Sequence, residues 1–286
     1  MHHRAAEVRS LAAYRSGVMV NVEGVSVNQS ETYEVGSIGA YAGRAWQFVE
    51  GTVNLSPAPS TSRTVRLPAV HQPIECDLQR TVMVIVDMQN DFCHEQGWLA
   101  SIGVDIAAAR GPIEPLVGLL PRLRSNGVPI IWLNWGTRSD RANLPPNIVH
   151  VYDPEGRGVG IGAPLGGTGH RVLEAGSWGA QIVDELVPEE SDIHVDKHRM
   201  SGFFDTSLDS ILRNLDARTL LFAGVNLDQC VLHTLADAAC LGYDCVLLDD
   251  CSATTSPAFC ADAARYNIAQ CFGFTVSSID LEGALT

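Results

Sequence analysis

Thr219-Leu-Leu-Phe-Ala-Gly-Val-Asn-Leu-Asp-Gln-Cys230-Val-Leu-His-Thr-Leu-Ala-Asp-Ala-Ala239 changes its apolar period halfway along. The run Leu220 to Ala223 is continuously apolar, as in a strand covered on both faces. Gly224 interrupts it. From Cys230 onward the apolar residues fall at Leu232, Leu235, Ala236 and Ala239, the spacing of one helix face. A buried strand passing through a glycine into a helix is one βα unit of a parallel sheet. It places Cys230 in the first turn of the helix, at the carboxyl end of the strand, where such sheets bind their ligands. Position alone leaves two readings of Cys230. The unpaired N–H groups and macrodipole of a helix start favour a thiolate. A free cysteine is also among the most buried residue types, and would serve equally as a small core side chain.

Two other strand ends carry charge. Thr81-Val-Met-Val-Ile-Val-Asp87-Met-Gln-Asn-Asp-Phe92 is an apolar run closing on a carboxylate, and Asp192-Ile-His-Val-Asp-Lys197 a shorter one closing on an ammonium. Singly, Asp87 reads as a helix N-cap and Lys197 as a solvated charge. Jointly with Cys230 they supply the base, cation and nucleophile of one nucleophilic site.

At these residues the chain resembles the isochorismatase-like cysteine hydrolases. That family's pattern is strand-Asp-x-Gln-x-Asp-Phe, a strand-end Lys, then strand-Gly-x-x-x-x-x-Cys-Val. Asp87, Lys197 and Cys230 occur in that order here, over a resemblance spanning about residues 78 to 280. Within the family, the segments 176–188 and 197–213 look most like the ureidoacrylate amidohydrolases of pyrimidine breakdown. The resemblance implies a cysteine-dependent amidohydrolase acting on a small ureido, carbamoyl or amide compound. Cys230 is its nucleophile, Asp87 the acid–base and Lys197 the cation holding both. The backbone N–H groups of Asn226 and Cys230 are the expected oxyanion donors. Relatives have a cis peptide in the turn before the nucleophile, which here is Val225–Asn226. Many relatives carry Ala or Glu, then Thr, where this chain has Asn226-Leu227, so the Asn226 amide either enters the pocket or braces the turn.

The expected pocket residues are Phe92, Trp98, Asn134, Trp135, Met200 and Phe203. Two departures from the ureidoacrylate enzymes stand out. Asn134-Trp135-Gly136 replaces their strand-end Gln-Asn-Gly-Trp, and Met200 replaces a Tyr. Both fall where the substrate's polar end should be read, so they bear on the choice of substrate and leave the reaction class untouched. Nicotinamidases of the same superfamily bind zinc after the second strand through an Asp-x-His and a second His. Here that region is Trp135-Gly-Thr-Arg-Ser-Asp140, and the expectation is no metal and no other cofactor. Cys93-His94 is an alternative nucleophile pair. Rival readings of the whole are a vinyl-ether hydrolase of isochorismatase type, which needs no thiol, and a catalytically silent oligomeric scaffold.

The 286-residue chain is 46% hydrophobic, enough for a full core, and its 33 acidic against 19 basic residues give a net charge of −14. That balance disfavours nucleic acid and anionic membranes as partners. No apolar run reaches the ~18 to 20 residues of a transmembrane helix, and no signal-peptide core follows the N-terminus. Eight cysteines without C-x-x-C pairs read as reduced thiols. The expectation is a cytoplasmic enzyme with a small-molecule substrate, assembled as a homo-oligomer, dimer or tetramer.

From residue 76 to 286 strand and helix patterns alternate, which specifies an α/β fold: a doubly wound parallel sheet with helices on both faces. Strands are predicted at 81–86, 128–134, 192–196, 220–223 and 245–249, with an edge strand near 275–278. Helices are predicted at 112–124, 181–187, 207–214, 231–241 and 257–269. Residues 138–175 form a long excursion, of a kind that usually carries function. Residues 1–75 read as an N-terminal extension. Its first ~30 residues are expected to be untethered, its alternation at 46–55 suggests short strands or a hairpin, and a Ser/Pro linker spans 56–62.

Overall fold

The computed structural model describes residues 36–285 except 40, 42–43, 50, 57–60, 157 and 167–168. The expectation for the first ~30 residues and the centre of the Ser/Pro linker lie outside the described residues. The described chain forms two compact units, one of Gly36–Ile38 with Trp46–Ser56, the other of Gly39–Ala45 with the residues from 61 onward. The first is a three-stranded antiparallel sheet of β1 (Gly36–Ile38), β2 (Trp46–Val49) and β3 (Thr52–Asn54). The alternation at 46–55 forms the β2–β3 hairpin, with Val49 opposite Thr52.

The second unit opens with an antiparallel hairpin of β4 (Thr64–Leu67) and β5 (Ile74–Asp77). Its body is a six-stranded sheet of β6 (Thr81–Val86), β7 (Ile130–Trp135), β8 (Ile193–Lys197), β9 (Thr219–Gly224), β10 (Asp244–Ser252) and β11 (Gly273–Val276). The spatial order is β11-β10-β9-β6-β7-β8, and every neighbouring pair is parallel. Helices cover the sheet in a three-layer α/β arrangement. Every residue of β6, β7 and β9 is buried, which is why these strands read as unbroken apolar runs rather than alternating ones. The helix Ile113–Ser125 buries Ile113, Leu116, Leu119, Leu120 and Leu123 along one stripe, and Gly127 follows it with φ +75°.

The chain winds outward from β6 through β7 to β8, then returns to β9 beside β6 and winds the other way. The switch point lies between β6 and β9. Their register, Val86 beside Gly224, brings Asp87 and the turn leading to Cys230 out of the sheet together.

One expectation needs correction. Residues 181–187 are not a helix. Asn90 N–H donates to the Gln181 carbonyl and Val183 N–H to that of Met88, so the start of this segment is bridged to the backbone after β6, and a turn closed by Leu186 N–H on the Val183 carbonyl follows. The long excursion contains one helix, Pro146–Tyr152.

Candidate active site

The turn after β9 is shaped by one close approach. Gly224 has φ +113°, and a Cβ there would collide with the Val86 carbonyl, so only glycine fits. Val225 N–H then donates to that carbonyl at 3.0 Å, and the Val225–Asn226 peptide is cis. Asn226 Oδ1 accepts from Thr255 N–H at 3.1 Å. Its amide oxygen therefore braces the turn, while the residue also lines the cavity described below. A π-helical turn, Leu227–Val231, follows and leads into the helix Leu232–Cys240. Cys230 sits in that turn. The N–H groups of Val225, Leu227, Gln229 and Val231 all donate to backbone carbonyls. Among the described residues no backbone carbonyl receives the Asn226 N–H.

Asp87 leaves β6 in the left-handed region, φ +52°, a conformation that Asp tolerates better than most residues. The motif around it is structural at two positions. Gln89 Nε2 donates to the carbonyls of Trp135 at 2.9 Å and Ala180 at 2.7 Å, while its Oε1 accepts from Trp135 N–H at 2.8 Å. Asp91 accepts from the N–H groups of Trp98 and Leu173. These two side chains tie the turn after β6 to the end of β7 and to the long excursion.

Lys197 ends β8, two strands from β6, yet its Nζ lies 2.8 Å from Asp87 Oδ2. It also donates to Cys230 Sγ at 3.2 Å and to the Arg199 carbonyl at 3.4 Å. The three sequence-predicted catalytic side chains therefore converge. Asp87 and Lys197 are fully buried and Cys230 is 5% exposed.

Burial raises the Asp87 carboxyl above its ordinary range, and the Lys197 charge counters this only in part. Burial works to lower the Lys197 ammonium, but Asp87 and Cys230 outweigh it and hold the amine protonated. Burial, and then the Asp87 charge, push the Cys230 thiol up to about 12. Of the two readings that position leaves for Cys230, burial works for the thiol: desolvation of a sulfur with this little exposure opposes the favourable dipole. The Lys197 ammonium thus stands within bonding distance of both the Cys230 sulfur and the Asp87 carboxyl.

Above Cys230 is a cavity of about 200 Å³. Phe92, Trp98, Trp135 and Tyr152 form its aromatic walls, with Leu99, Ile102, Val104 and Ile161 between them, and Asn226, Gln229 and Thr255 beside the cysteine. Of the expected pocket residues, Phe92, Trp98 and Trp135 are there. Met200 does not line it, but its sulfur touches both Cys230 Sγ at 3.9 Å and the Tyr152 hydroxyl at 3.8 Å. Asn134 and Phe203 are corrections. Strand alternation sends Asn134 to the opposite face from Trp135. Phe203 packs against Tyr243 with ring centroids 6.1 Å apart. Cys93-His94 does not form a pair either, since Cys93 Sγ faces the Ala109 carbonyl at 3.5 Å while the His94 ring stacks edge-on with Trp178.

Sequence reasoning missed Tyr152 and Gln229. The Tyr152 hydroxyl donates to Gln229 Oε1 at 3.4 Å, and Gln229 Nε2 to Ser256 Oγ at 3.3 Å. Gln229 had a signal, as the neighbour of Cys230. Tyr152 had only the unusual length of the excursion. Among the described residues no group of three His, Cys, Asp or Glu side chains is placed to hold a metal ion, and no helix is long and apolar enough to cross a membrane.

The isochorismatase domain model matches residues 81–280. The ureidoacrylate amidohydrolase RutB of Rhizobium rhizogenes is 36% identical over 221 residues, covering 77% of this chain and 89% of its own. A cysteine hydrolase from Pseudomonas syringae superposes with a TM-score of 0.62 at 23% identity, covering 79% of this chain and 98% of that one. The N-carbamoylsarcosine amidase of Thermoplasma acidophilum has a TM-score of 0.53 at 25% identity, covering 70% of this chain and 96% of its own.

Proposed function

The chain belongs to the isochorismatase family, and on that footing we propose that it is a cysteine-dependent amidohydrolase. It cleaves a carbon–nitrogen bond, other than a peptide bond, in a small ureido, carbamoyl or amide compound. The observation that carries this reading is the position of Lys197 Nζ, 2.8 Å from Asp87 and 3.2 Å from Cys230. A vinyl-ether hydrolase has no use for a thiol held beside a base and a cation.

In the proposed sequence, Cys230 Sγ attacks the substrate carbonyl as its proton passes to Asp87. Lys197 stays protonated and stabilises the negative charge as it moves from carboxylate to sulfur to oxyanion. The N–H groups of Asn226 and Cys230 face that oxyanion. Asp87 returns the proton to the leaving nitrogen, which departs as ammonia or an amine, leaving an acyl thioester on Cys230. Asp87, again a carboxylate, takes a proton from water as the water's oxygen attacks the thioester. The acid is released and the thiol is re-formed.

The test is a panel of ureides and amides assayed for ammonia or amine release, with a vinyl ether alongside and Cys230→Ala as control. Release from the panel that disappears in the variant supports the proposal. Vinyl-ether cleavage that survives Cys230→Ala refutes it.

A further inference from the structure

Among the described residues, the walls of the cavity carry no charge. Its lining contains, among those residues, no lysine, arginine, aspartate or glutamate, and its polar groups are the side chains of Asn226, Gln229 and Thr255, the Tyr152 hydroxyl bonded to Gln229, and the Cys230 thiol. The cations at its border are already committed. Lys197 is held by Asp87, Cys230 and the Arg199 carbonyl. Arg199 turns away: Nη1 donates to the carbonyls of Asn143 and His198, and Nη2 pairs with Asp205 at 3.0 Å. The net charge of −14 adds a long-range field that repels anions.

We infer that the substrate is uncharged: a small neutral amide or ureide whose remainder is branched aliphatic or aromatic. The inference rests on the amidohydrolase reading and narrows it. Ureidoacrylate, for which the relatives are named, is a carboxylate at neutral pH. An ionised carboxylate moved among Phe92, Trp98, Leu99 and Ile161 would lose its hydration without gaining a partner. A neutral amide meets its hydrogen-bonding groups at one end, beside Cys230, where Gln229, Thr255 and the Tyr152 hydroxyl bonded to Gln229 stand, and apolar surface beyond. The size agrees, since about 200 Å³ is below the ~300 Å³ at which pockets for drug-sized ligands begin. Hydrolysis of the acyl enzyme gives a carboxylate from an amide, and from a ureide a carbamate that breaks down to CO2 and an amine; the same walls disfavour each charged product, so it is driven out.

Two measurements on the wild-type protein test this. The first compares kcat/KM for matched pairs, isovaleramide against succinamate and butylurea against 3-ureidopropionate. The neutral member should lead by at least about 100-fold, and a preference for the carboxylates overturns the inference while leaving the amidohydrolase reading in place. The second needs no turnover. Iodoacetamide and iodoacetate differ in charge but scarcely in size, and their alkylation rates at each thiol are read by peptide mass spectrometry. The iodoacetamide-to-iodoacetate ratio at Cys230 should exceed that at exposed Cys271 by at least about 10-fold. An equal or lower ratio at Cys230 overturns the inference. If no amide or ureide is hydrolysed, the amidohydrolase reading fails, and the alkylation ratio still decides whether the pocket rejects anions.

Discussion

Lys197 lies over the face of Trp135, its Nζ 4.4 Å from the ring centroid. The two residues are register partners on adjacent strands, and the indole Nε1 is fixed by a 3.0 Å bond to Thr137 Oγ1. The indole therefore guides the lysine stem across β7 to Asp87, and contributes a cation–π contact to an ammonium that has left water. Removing the ammonium while keeping the stem isolates its role. Lys197→Met should cost on the order of 3–5 kcal/mol of stability, because Asp87 is left as an unpaired buried carboxylate. Adding Asp87→Asn should recover most of that loss but no activity. A denaturant series checks both, and a double variant as unstable as Lys197→Met alone would show that the pair is not the source of the loss.

Cys230→Ala should lower kcat by several orders of magnitude with the fold intact. Cys93→Ala should leave kcat within a few-fold, because that thiol only packs and faces the Ala109 carbonyl. Its cost should be on the order of 1 kcal/mol in stability. Steady-state rates with circular dichroism for both variants decide the matter, and the opposite pattern would move the nucleophile to Cys93.

Activity should fall in acid with a midpoint above 3.8, the ordinary Asp value, since Asp87 must be ionised to accept the Cys230 proton. Lys197 is raised above its ordinary 10.5, so its cation is present throughout the neutral range. The signs for stability follow from the same directions. Each group is raised on folding, so each contributes stability that is full below its unfolded pKa and lost as pH rises through its folded one. For Asp87 the loss begins just above 3.8, and for Lys197 only above 10.5. A profile of kcat/KM against pH reads the free enzyme, and an acid limb at or below 3.8 would contradict a desolvated Asp87.

Gly224→Ala should destabilise by about 2 kcal/mol or more, combining a strained φ with a collision against the Val86 carbonyl. The turn it distorts carries Asn226 and leads to Cys230, so kcat should fall further than stability alone explains. Thermal melts and rates at a temperature where the variant stays folded separate the two. Unchanged kcat would show that the turn tolerates displacement.

Much of this fold could be read locally. Strands buried on both faces have to be continuous apolar runs, and the helices between them show a 3.6-residue period, so the order β6, β7, β8, β9, β10 and the doubly wound class followed from pattern. The motif positions Asp87, Lys197 and Cys230 were legible because each ends a strand. The segment 181–187 misled because its apolar spacing suits a helix, while the backbone bonds that hold its start come from Met88 and Asn90, more than 90 residues earlier.

What the sequence by itself determined is the set of chemical groups and the sheet that carries them. What only the tertiary structure decided is where those groups stand and in which protonation state. The path of Lys197 over Trp135 depends on strand order, not on spacing along the chain. The arrival of Tyr152 at Gln229 depends on how a long excursion folds back. The raised thiol of Cys230 depends on how completely its neighbours exclude water. Burial, strand order and loop path are set by contacts between residues far apart in sequence, and local pattern carries no record of them.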